Sequence, residues 1–183
     1  MSDLTVSSVV AAAGKVEGRV KLQKMIFLLQ EMGYDLGYGD YVFLLHGPYS
    51  EDLASDLDRA AGVLLKESQE GTGMFYSHTG EEVLRYVYRP QTKEWRIRLL
   101  SRLRKRFGES GDELVDRIAA LNRVPAPVLE LVASAVFIRE RDGVADLDAT
   151  WDRVRALKPH LSRYMARAKR QLAEWDEQQS FVH

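Results

Sequence analysis

Residues 19–32 read Arg-Val-Lys-Leu-Gln-Lys-Met-Ile-Phe-Leu-Leu-Gln-Glu-Met, and their apolar members recur at helical spacing. Such a period is typical of a helix that turns one face to a core. The residues on the predicted buried face are Leu22, Met25, Ile26, Leu29 and Met32. The stretch therefore predicts one clear helix, and a shorter helix is predicted before it over residues 4–13, with Gly14 and Gly18 as breakers.

Beyond this helix, the chain predicts a short strand, a turn and a third helix. Residues 41–45 are a β-prone run, and His46 with Gly47-Pro48-Tyr49 has turn chemistry, in which His46 is predicted to donate to the backbone. Ser50 is a suitable N-cap for a helix from Glu51 to Ala61.

Two apolar runs, residues 63–65 and 74–76, flank the glycine-bearing segment 69–73 and predict a two-stranded hairpin with its tip at Gly71-Thr72-Gly73. Thr79 then has the position of a cap for a helix through about Val87. The order helix, helix, strand, helix, hairpin is the winged-helix plan.

The rest of the chain is predicted to be helical, in segments near 92–107, 111–122, 126–141, 147–157 and 160–177. Nine of the eleven residues from Val128 to Ile138 are apolar, which indicates a helix buried nearly all round. The predicted fold class is mainly α, with a winged-helix-like N-terminal part (residues 1–90) that carries a small β-hairpin. A C-terminal helical bundle (residues 91–183) packs against it.

The composition limits the class of protein. The 183 residues include 26 basic and 27 acidic side chains, so any electrostatic partner must recognise a local patch. The absence of cysteine removes disulfides and thiolate chemistry and fits a reducing compartment. No run approaches the roughly 18 apolar residues of a membrane span. We expect a cytoplasmic protein with no membrane partner.

Two short motifs carry a family resemblance. The helix motif Gly18-Arg19-Val20-Lys21-Leu22-Gln23-Lys24-Met25-Ile26-Phe27-Leu28-Leu29, with Phe43 and Gly47-Pro48-Tyr49-Ser50 after it, resembles the YwgA-like proteins of bacteria and archaea. Leu157-Lys158-Pro159 before a long helix is similar to the same pattern. More distantly, the Lys-Leu-Gln-Lys helix with a Gly-Pro turn resembles the Panacea (SocA-like) domain of antitoxins. That second resemblance implies the neutralisation of a partner toxin, which is a protein-binding role.

The segment from Lys93 to Arg106 carries the strongest local charge of the chain, with seven basic residues and the single acid Glu94. At 100° per residue, Arg98, Arg102 and Lys105 cluster on one flank of the predicted helix, with Arg106 nearby. This flank is either a solvated helix face or a surface that binds phosphate or an acidic protein.

The last helix has a similar pattern, with Arg163, Arg167 and Arg170 along one face. Its apolar stripe is either a core face or the seam of a homodimer. If the two basic helices lie side by side, their fields add.

The helix from Glu51 to Ala61 would be the recognition element of a helix-turn-helix protein. It carries Glu51, Asp52, Asp56 and Asp58, however, and an acidic face loses the electrostatic attraction to phosphates on which non-specific affinity depends. Glu51, Asp52 and Asp56 are instead candidates for contacting a partner protein.

No catalytic pattern is present. The four histidines are scattered, without zinc-ligand spacing, and no serine lies in a nucleophile elbow. We expect no enzyme activity, no metal and no cofactor. The leading hypothesis is a regulatory protein that binds nucleic acid, DNA or RNA, through Arg98, Arg102, Lys105 and Arg106, with Arg163, Arg167 and Arg170 as second candidates. The alternative is a protein-interaction module of antitoxin or adaptor type.

Overall fold

The fold was analysed in a computed structural model that describes residues 3–73, 83–144 and 146–178. Within these ranges the chain forms eight α-helices and five strands. The helices are α1 (Asp3–Ala13), α2 (Arg19–Glu31), α3 (Glu51–Ala60), α4 (Lys93–Phe107), α5 (Gly111–Arg123), α6 (Ala126–Asp142), α7 (Leu147–Leu157) and α8 (Met165–Glu177). The strands are β1 (Val16–Glu17), β2 (Val42–Leu44), β3 (Gly47–Tyr49), β4 (Leu65–Gly73) and β5 (Val83–Pro90).

The strands form two small antiparallel sheets. In the first, β5 lies between β1 and β4, and a register shift interrupts the β4–β5 pairing between Gln69 and Thr72. In the second, β2 pairs with β3. The order of α1, α2, α3 and the β4–β5 hairpin is consistent with the winged-helix-like plan. The predicted fold class is confirmed: the chain is mainly helical, with a small sheet in its N-terminal half and a helical C-terminal region.

The hairpin differs from its prediction. Its strands are β4 and β5, so the helix predicted through Val87 is wrong from Val83 onward, while residues 74–82, which include the predicted second strand and the Thr79 cap, lie outside the described residues. The run Val83–Tyr88 is rich in β-branched and aromatic residues, and its pairing with β1 and β4 overrides the local cap signal.

The predicted turn at residues 47–49 is also a strand. Gly47, Pro48 and Tyr49 pair with residues 44, 43 and 42, so β3 is the second half of a tight hairpin. The N-cap prediction after it is confirmed, because Ser50 Oγ accepts the Leu53 N–H at 3.0 Å.

The helices of the C-terminal half begin and end close to their predicted positions. Thr92, Gly108, Pro125 and Gly143 lie at helix ends, and the last predicted helix opens with a 3₁₀ segment at Pro159–Tyr164. The prediction of a fully buried helix is confirmed in α6, where every side chain from Pro127 to Ile138 is buried.

One apolar core crosses the boundary at residue 90 that separates the two predicted domains. α1 packs against α3, α4 and α5, and α2 packs against α6. α6 also contacts α7, α8 and β3. Buried apolar side chains from Val6 to Trp175 belong to a single cluster, so the C-terminal helices complete the core that the N-terminal helices begin.

No single helix among the described residues is both long and apolar enough to cross a membrane. The pair 93–123 and 126–142 satisfies length and composition only when it is taken together, and it bends by 116° at its break.

Candidate functional site

The basic helix α4 is held in place by its apolar face. Thr92 Oγ1 accepts the Trp95 N–H at 3.2 Å and caps the first turn. Leu99 and Leu103 are buried, and the helix packs against α1 and α5. The opposite face of α4 is exposed to solvent.

Three arginines of α4 are engaged within the protein. Arg96 Nε donates to Ala11 O at 3.1 Å, at the C-terminal end of α1. Arg106 donates to Thr5 Oγ1 near the N-terminal end of α1 and to Asp35 O in the segment after α2, both at 2.8 Å. Arg104 forms an exposed ion pair with Asp112 at 2.6 Å. Arg96 and Arg106 therefore tie α4 to both ends of α1, and Arg106, a predicted binding residue, has a structural role as well.

The other three predicted residues of α4 are available to a ligand. Arg98, Arg102 and Lys105 are exposed, and none forms an ion pair with the described part of the chain. Arg98 lies over the ring of Trp95, 5.5 Å from its centroid. Their spacing of four and three residues places them on one helix face, as the sequence predicted.

A surface cavity of about 470 Å³ opens beside this face, between α1, α4 and residues 36–37. Arg102 and Arg106 reach it from α4, and Thr5 and Ser8 reach it from α1. Its apolar wall is formed by Leu4, Leu36 and Leu103. No sequence signal indicated this cavity, because its walls come from segments about a hundred residues apart.

The second basic helix lies elsewhere in the molecule. Arg163, Arg167 and Arg170 are exposed on the 3₁₀ segment and α8, and Arg163 lies over the ring of Tyr164 at 4.8 Å. α8 packs against α6, whereas α4 packs against α1 and α5. The basic face of α8 and the basic face of α4 are thus carried by helices that pack against different neighbours. The apolar stripe of α8 is buried within this chain.

The three acidic residues of α3 that were candidates for contacting a partner protein fall into two groups. Glu51 and Asp52 are exposed at its first turn, where their N–H groups donate to Asp40 Oδ2 at 2.9 and 3.2 Å. Asp56 is only 1% exposed. It accepts the hydroxyl of Tyr38 at 2.9 Å and pairs with Arg59. The Asp56 carboxylate is therefore bound within the fold and is not available to a partner protein in this conformation.

A buried charge cluster lies between α2, the β2–β3 hairpin, α6 and the end of α7. Glu130 is fully buried, and Lys24 and Lys158 are each 1% exposed. Lys158 Nζ donates to Glu130 Oε1 at 2.8 Å and also to Leu45 O. Lys24 Nζ donates to Pro48 O at 2.5 Å. These four segments are thereby joined by charge-assisted hydrogen bonds.

His46 completes the cluster at its outer edge. Its Nδ1 lies 3.6 Å from Glu130 Oε2. The prediction that His46 is a turn residue is confirmed, its donation to the backbone stays a prediction, and its ring lies beside a buried carboxylate, which the sequence did not indicate. The reason is the β2–β3 hairpin, which directs residue 46 toward α6.

Burial and neighbouring charges shift the pKa values of Lys24 and Glu130. The pKa of Lys24 is lowered from 10.5 to about 7, chiefly by burial; the charge of Glu130 opposes this shift and the nearby charge of Lys158 adds to it. Burial alone would raise the pKa of Glu130, but His46 and Lys158 outweigh it, so the pKa lies below its usual value. Glu130 is therefore a buried carboxylate that stays ionised.

The hairpin approaches α6 closely at Gly47. A Cβ atom at this position would lie 2.7 Å from Ser134 Oγ, and the backbone φ is +88°. Ser134 Oγ donates to Glu130 O at 2.7 Å, within the same helix. Only glycine fits both the conformation and the space.

The buried charge cluster unites the motifs that carried the family resemblance. Lys24, Gly47-Pro48 and Lys158 are far apart in sequence and meet around Glu130. Sequence reasoning did not find Glu130, although a signal was present: Glu130 and Ser134 are the two polar residues in the otherwise apolar stretch 128–138. A charge inside a fully buried helix requires a counter-charge.

The arrangement favours a structural role for this cluster. A lysine with a pKa near 7 is a feature of many reactive sites. Lys24, Glu130 and Lys158 are nevertheless all buried, so no substrate atom reaches them in this conformation. Within the described residues, no group of three histidine or carboxylate side chains could hold a metal ion.

Comparison with known proteins shows a similarity to a bacterial protein over part of the chain. Over 67 residues the chain is 34% identical to the uncharacterized protein YwgA of Bacillus subtilis strain 168. The match covers 36% of this chain and 40% of that protein, so it spans less than half of the relative's length. No protein-family model matches the chain. The predicted resemblance to YwgA-like proteins is confirmed over this stretch, and the resemblance to the Panacea domain stays a prediction.

Proposed function

We propose that the protein is a non-enzymatic, cytoplasmic regulatory protein that binds the phosphates of nucleic acid through the exposed face of α4. The observation that supports this most directly is the state of the basic residues of that helix. Arg96, Arg104 and Arg106 are engaged within the fold, whereas Arg98, Arg102 and Lys105 are exposed, share one face and lack an ion pair with the described residues.

The proposal assigns binding to α4 rather than to α3. Glu51 and Asp52 project from the first turn of α3, and Asp58 is exposed further along, where it pairs with Arg19 at 2.6 Å. These acids would repel a phosphate backbone. The basic residues of the β4–β5 hairpin are partly neutralised as well, since Arg89 pairs with Glu70 at 2.5 Å. The free cations of α4 are therefore the better candidates.

The test is a titration of labelled duplex DNA and of labelled single-stranded RNA by fluorescence anisotropy at several salt concentrations. We expect binding at low salt. The slope of log K against log salt is negative, and the triple substitution Arg98→Ala, Arg102→Ala and Lys105→Ala should lower its magnitude. The expected decrease is about 2.7 for a duplex or about 2.1 for a single strand, because each phosphate contact contributes roughly 0.9 or 0.7.

The matched control removes the same charge from the other basic helix by Arg163→Ala, Arg167→Ala and Arg170→Ala. We expect this variant to keep the slope of the unmodified protein. No binding at low salt, or an equal loss in both triple variants, would contradict the proposal.

A second candidate function, the binding of a partner protein, is favoured by the exposed edge of β2. Val42, Leu44 and Leu45 are exposed there, Leu45 to 65%, and β2 pairs only with β3 among the described strands. An exposed apolar edge strand is a template for pairing with another chain. The candidate partner is the product of a neighbouring gene, in a module of antitoxin or adaptor type. Capture of that product should be lost after Leu44→Asp and Leu45→Asp but retained after Leu157→Asp, which changes another exposed leucine.

A further inference from the structure

The cavity beside α4 is positively charged. Its lining residues include Arg102 and Arg106 and no aspartate or glutamate. Asp35, which adjoins the cavity in sequence, contributes its backbone carbonyl to Arg106, and its carboxylate accepts the Gly37 N–H at 3.0 Å. Two guanidinium groups at a site without a lining carboxylate favour an anionic ligand.

The two arginines differ in a way that suits them to one ligand. Arg106 is fixed by its two 2.8 Å hydrogen bonds, to Thr5 Oγ1 and to Asp35 O, so its charge is already in position. Arg102 is exposed and forms no ion pair with the described residues, so its guanidinium group can bind an anion that enters the cavity.

The hydroxyl groups of α1 add polar contacts at the same place. Thr5 Oγ1 accepts from Arg106, so its own proton is left to donate to an anion oxygen. Ser8 Oγ donates to Leu4 O at 2.7 Å, so its lone pairs can accept a hydrogen bond from a ligand.

The remainder of the cavity is apolar. Leu36 and Leu103 are almost fully buried and form the floor, while Leu4 forms part of the wall. The volume of about 470 Å³ is within the range of small-molecule sites, roughly 300–1,000 Å³. A bare inorganic anion would leave this apolar surface uncovered, so the lining fits an anion that also carries a flat or apolar group.

We propose that this cavity holds one nucleotide unit, with its phosphate on Arg102 and Arg106 and its base over Leu4, Leu36 and Leu103. The inference rests on the proposed function, because Arg102 belongs to both sites and Arg98 and Lys105 continue the basic face beside the cavity. The nucleotide is either a free mononucleotide or the end of a nucleic-acid strand, and the two sources share the same chemistry.

The experiment is a calorimetric titration with adenosine monophosphate, with inorganic phosphate as a second probe. We expect the mononucleotide to bind more tightly than inorganic phosphate by about tenfold or more. Arg102→Ala should weaken mononucleotide binding by about tenfold, whereas Arg167→Ala, which removes the same charge from α8, should leave it unchanged.

A second variant tests the cavity itself. Leu4→Trp fills it from the wall without changing its charge, so mononucleotide binding should be lost while the thermal unfolding temperature shows that the protein is folded. If Leu4→Trp unfolds the protein, the test is the comparison of mononucleotide binding by Arg102→Ala with that by Arg167→Ala.

A single strand with a 5′-phosphate, compared with the same strand with a 5′-hydroxyl, distinguishes the two sources. Tighter binding of the phosphorylated strand, reversed by Leu4→Trp, identifies a strand end. Equal binding of the two strands together with mononucleotide binding identifies a free nucleotide.

Two results would overturn the inference: inorganic phosphate that binds as tightly as the mononucleotide, or mononucleotide binding that Arg102→Ala leaves unchanged. The proposed function fails separately, if duplex DNA and single-stranded RNA are not bound at low salt by the unmodified protein.

Discussion

Individual residues decide how the β2–β3 hairpin sits on α6, and Gly47 is the clearest case. Gly47→Ala combines an unfavourable φ of +88° with a contact of 2.7 Å to Ser134 Oγ. We expect it to lower the free energy of unfolding by about 2 kcal/mol or more, measured by urea denaturation.

Gly62 supplies the control for that substitution. Its φ is +82°, but a Cβ atom there would meet nothing within 4 Å. Gly62→Ala should therefore lower the free energy of unfolding by only about 1 kcal/mol, which is the cost of the unfavourable φ without a steric contact. Equal losses at the two glycines would show that the approach to Ser134 has no energetic weight.

Lys24 gives a pH dependence at the same scale. Its pKa is about 7 in the folded protein and 10.5 as its ordinary value. Between these pH values the unfolded chain binds more protons than the folded protein, so stability rises with pH across this window, by up to about 1.4 kcal/mol per pH unit. Lys24→Met removes the titrating group, so the unmodified protein should gain stability relative to this variant as the pH rises from 7 toward 10.

Denaturant unfolding at several pH values measures that difference. Lys105→Met is the control, because Lys105 is exposed and the variant should follow the unmodified protein in parallel. Parallel curves for Lys24→Met as well would mean that the folded protein keeps Lys24 charged at neutral pH.

The sequence predicted which basic residues of α4 are exposed better than it predicted which of them are bound within the fold. The helical period correctly placed Arg98, Arg102 and Lys105 on an exposed face. It could not show that Arg96 and Arg106 bind to distant segments of the chain, since their acceptors Ala11, Thr5 and Asp35 are 71 to 101 residues away from them. Partners at such separations depend on the tertiary fold, which a local pattern does not contain.

At the scale of elements, the start of α3 depends on a small hydrogen-bond network. Ser50 Oγ accepts the Leu53 N–H at 3.0 Å and donates to Asp40 Oδ1 at 2.5 Å, while Gln23 holds the Ser50 backbone from α2. Ser50→Ala removes the cap and leaves Asp40 with one donor fewer. We expect a loss of about 1 to 2 kcal/mol in the free energy of unfolding, measured by thermal or urea denaturation.

Ser101→Ala is the matched control, since Ser101 is exposed in the middle of α4. A change within about 0.5 kcal/mol is expected there. A similarly small effect at Ser50 would mean that water replaces the cap.

Helices whose ends are set by capping or helix-breaking residues were predictable from the sequence, and strands that depend on pairing with other segments were not. The ends of α4 and α6 follow from Thr92, Gly108, Pro125 and Gly143, each of which acts on backbone within a few residues of itself. The first part of strand β5 was predicted as a helix because Thr79, just before it, has the position of a helix cap. Nine residues lie between the end of the partner strand β4 and the start of β5, and a local pattern does not show that pairing. The two-residue strand β1 was not predicted at all, since so short a strand exists only through its pairing with β5.

At the scale of the whole molecule, the shared core should make unfolding a single event. Leu29 of α2 is fully buried, and all three tryptophans, Trp95, Trp151 and Trp175, lie after residue 90. Leu29→Ala should lower the free energy of unfolding by about 2 to 5 kcal/mol. If the core is continuous, tryptophan fluorescence and far-ultraviolet circular dichroism should report the same shifted midpoint.

Val63→Ala is the control for that measurement, because Val63 is 67% exposed. It should move neither midpoint noticeably. If Leu29→Ala leaves the midpoint of the tryptophan fluorescence transition unchanged, the regions before and after residue 90 unfold independently, as two domains.

The buried charge cluster also restricts how this protein can change over evolutionary time. Removing one partner of a buried ion pair is far more damaging than replacing both by apolar residues. A lineage that loses the lysine at position 158 is therefore expected to lose the glutamate at position 130 as well, whereas position 47 should stay glycine because its φ is +88°. In an alignment of relatives, positions 130 and 158 should change as a pair, and this correlated substitution between α6 and the end of α7 would record their contact.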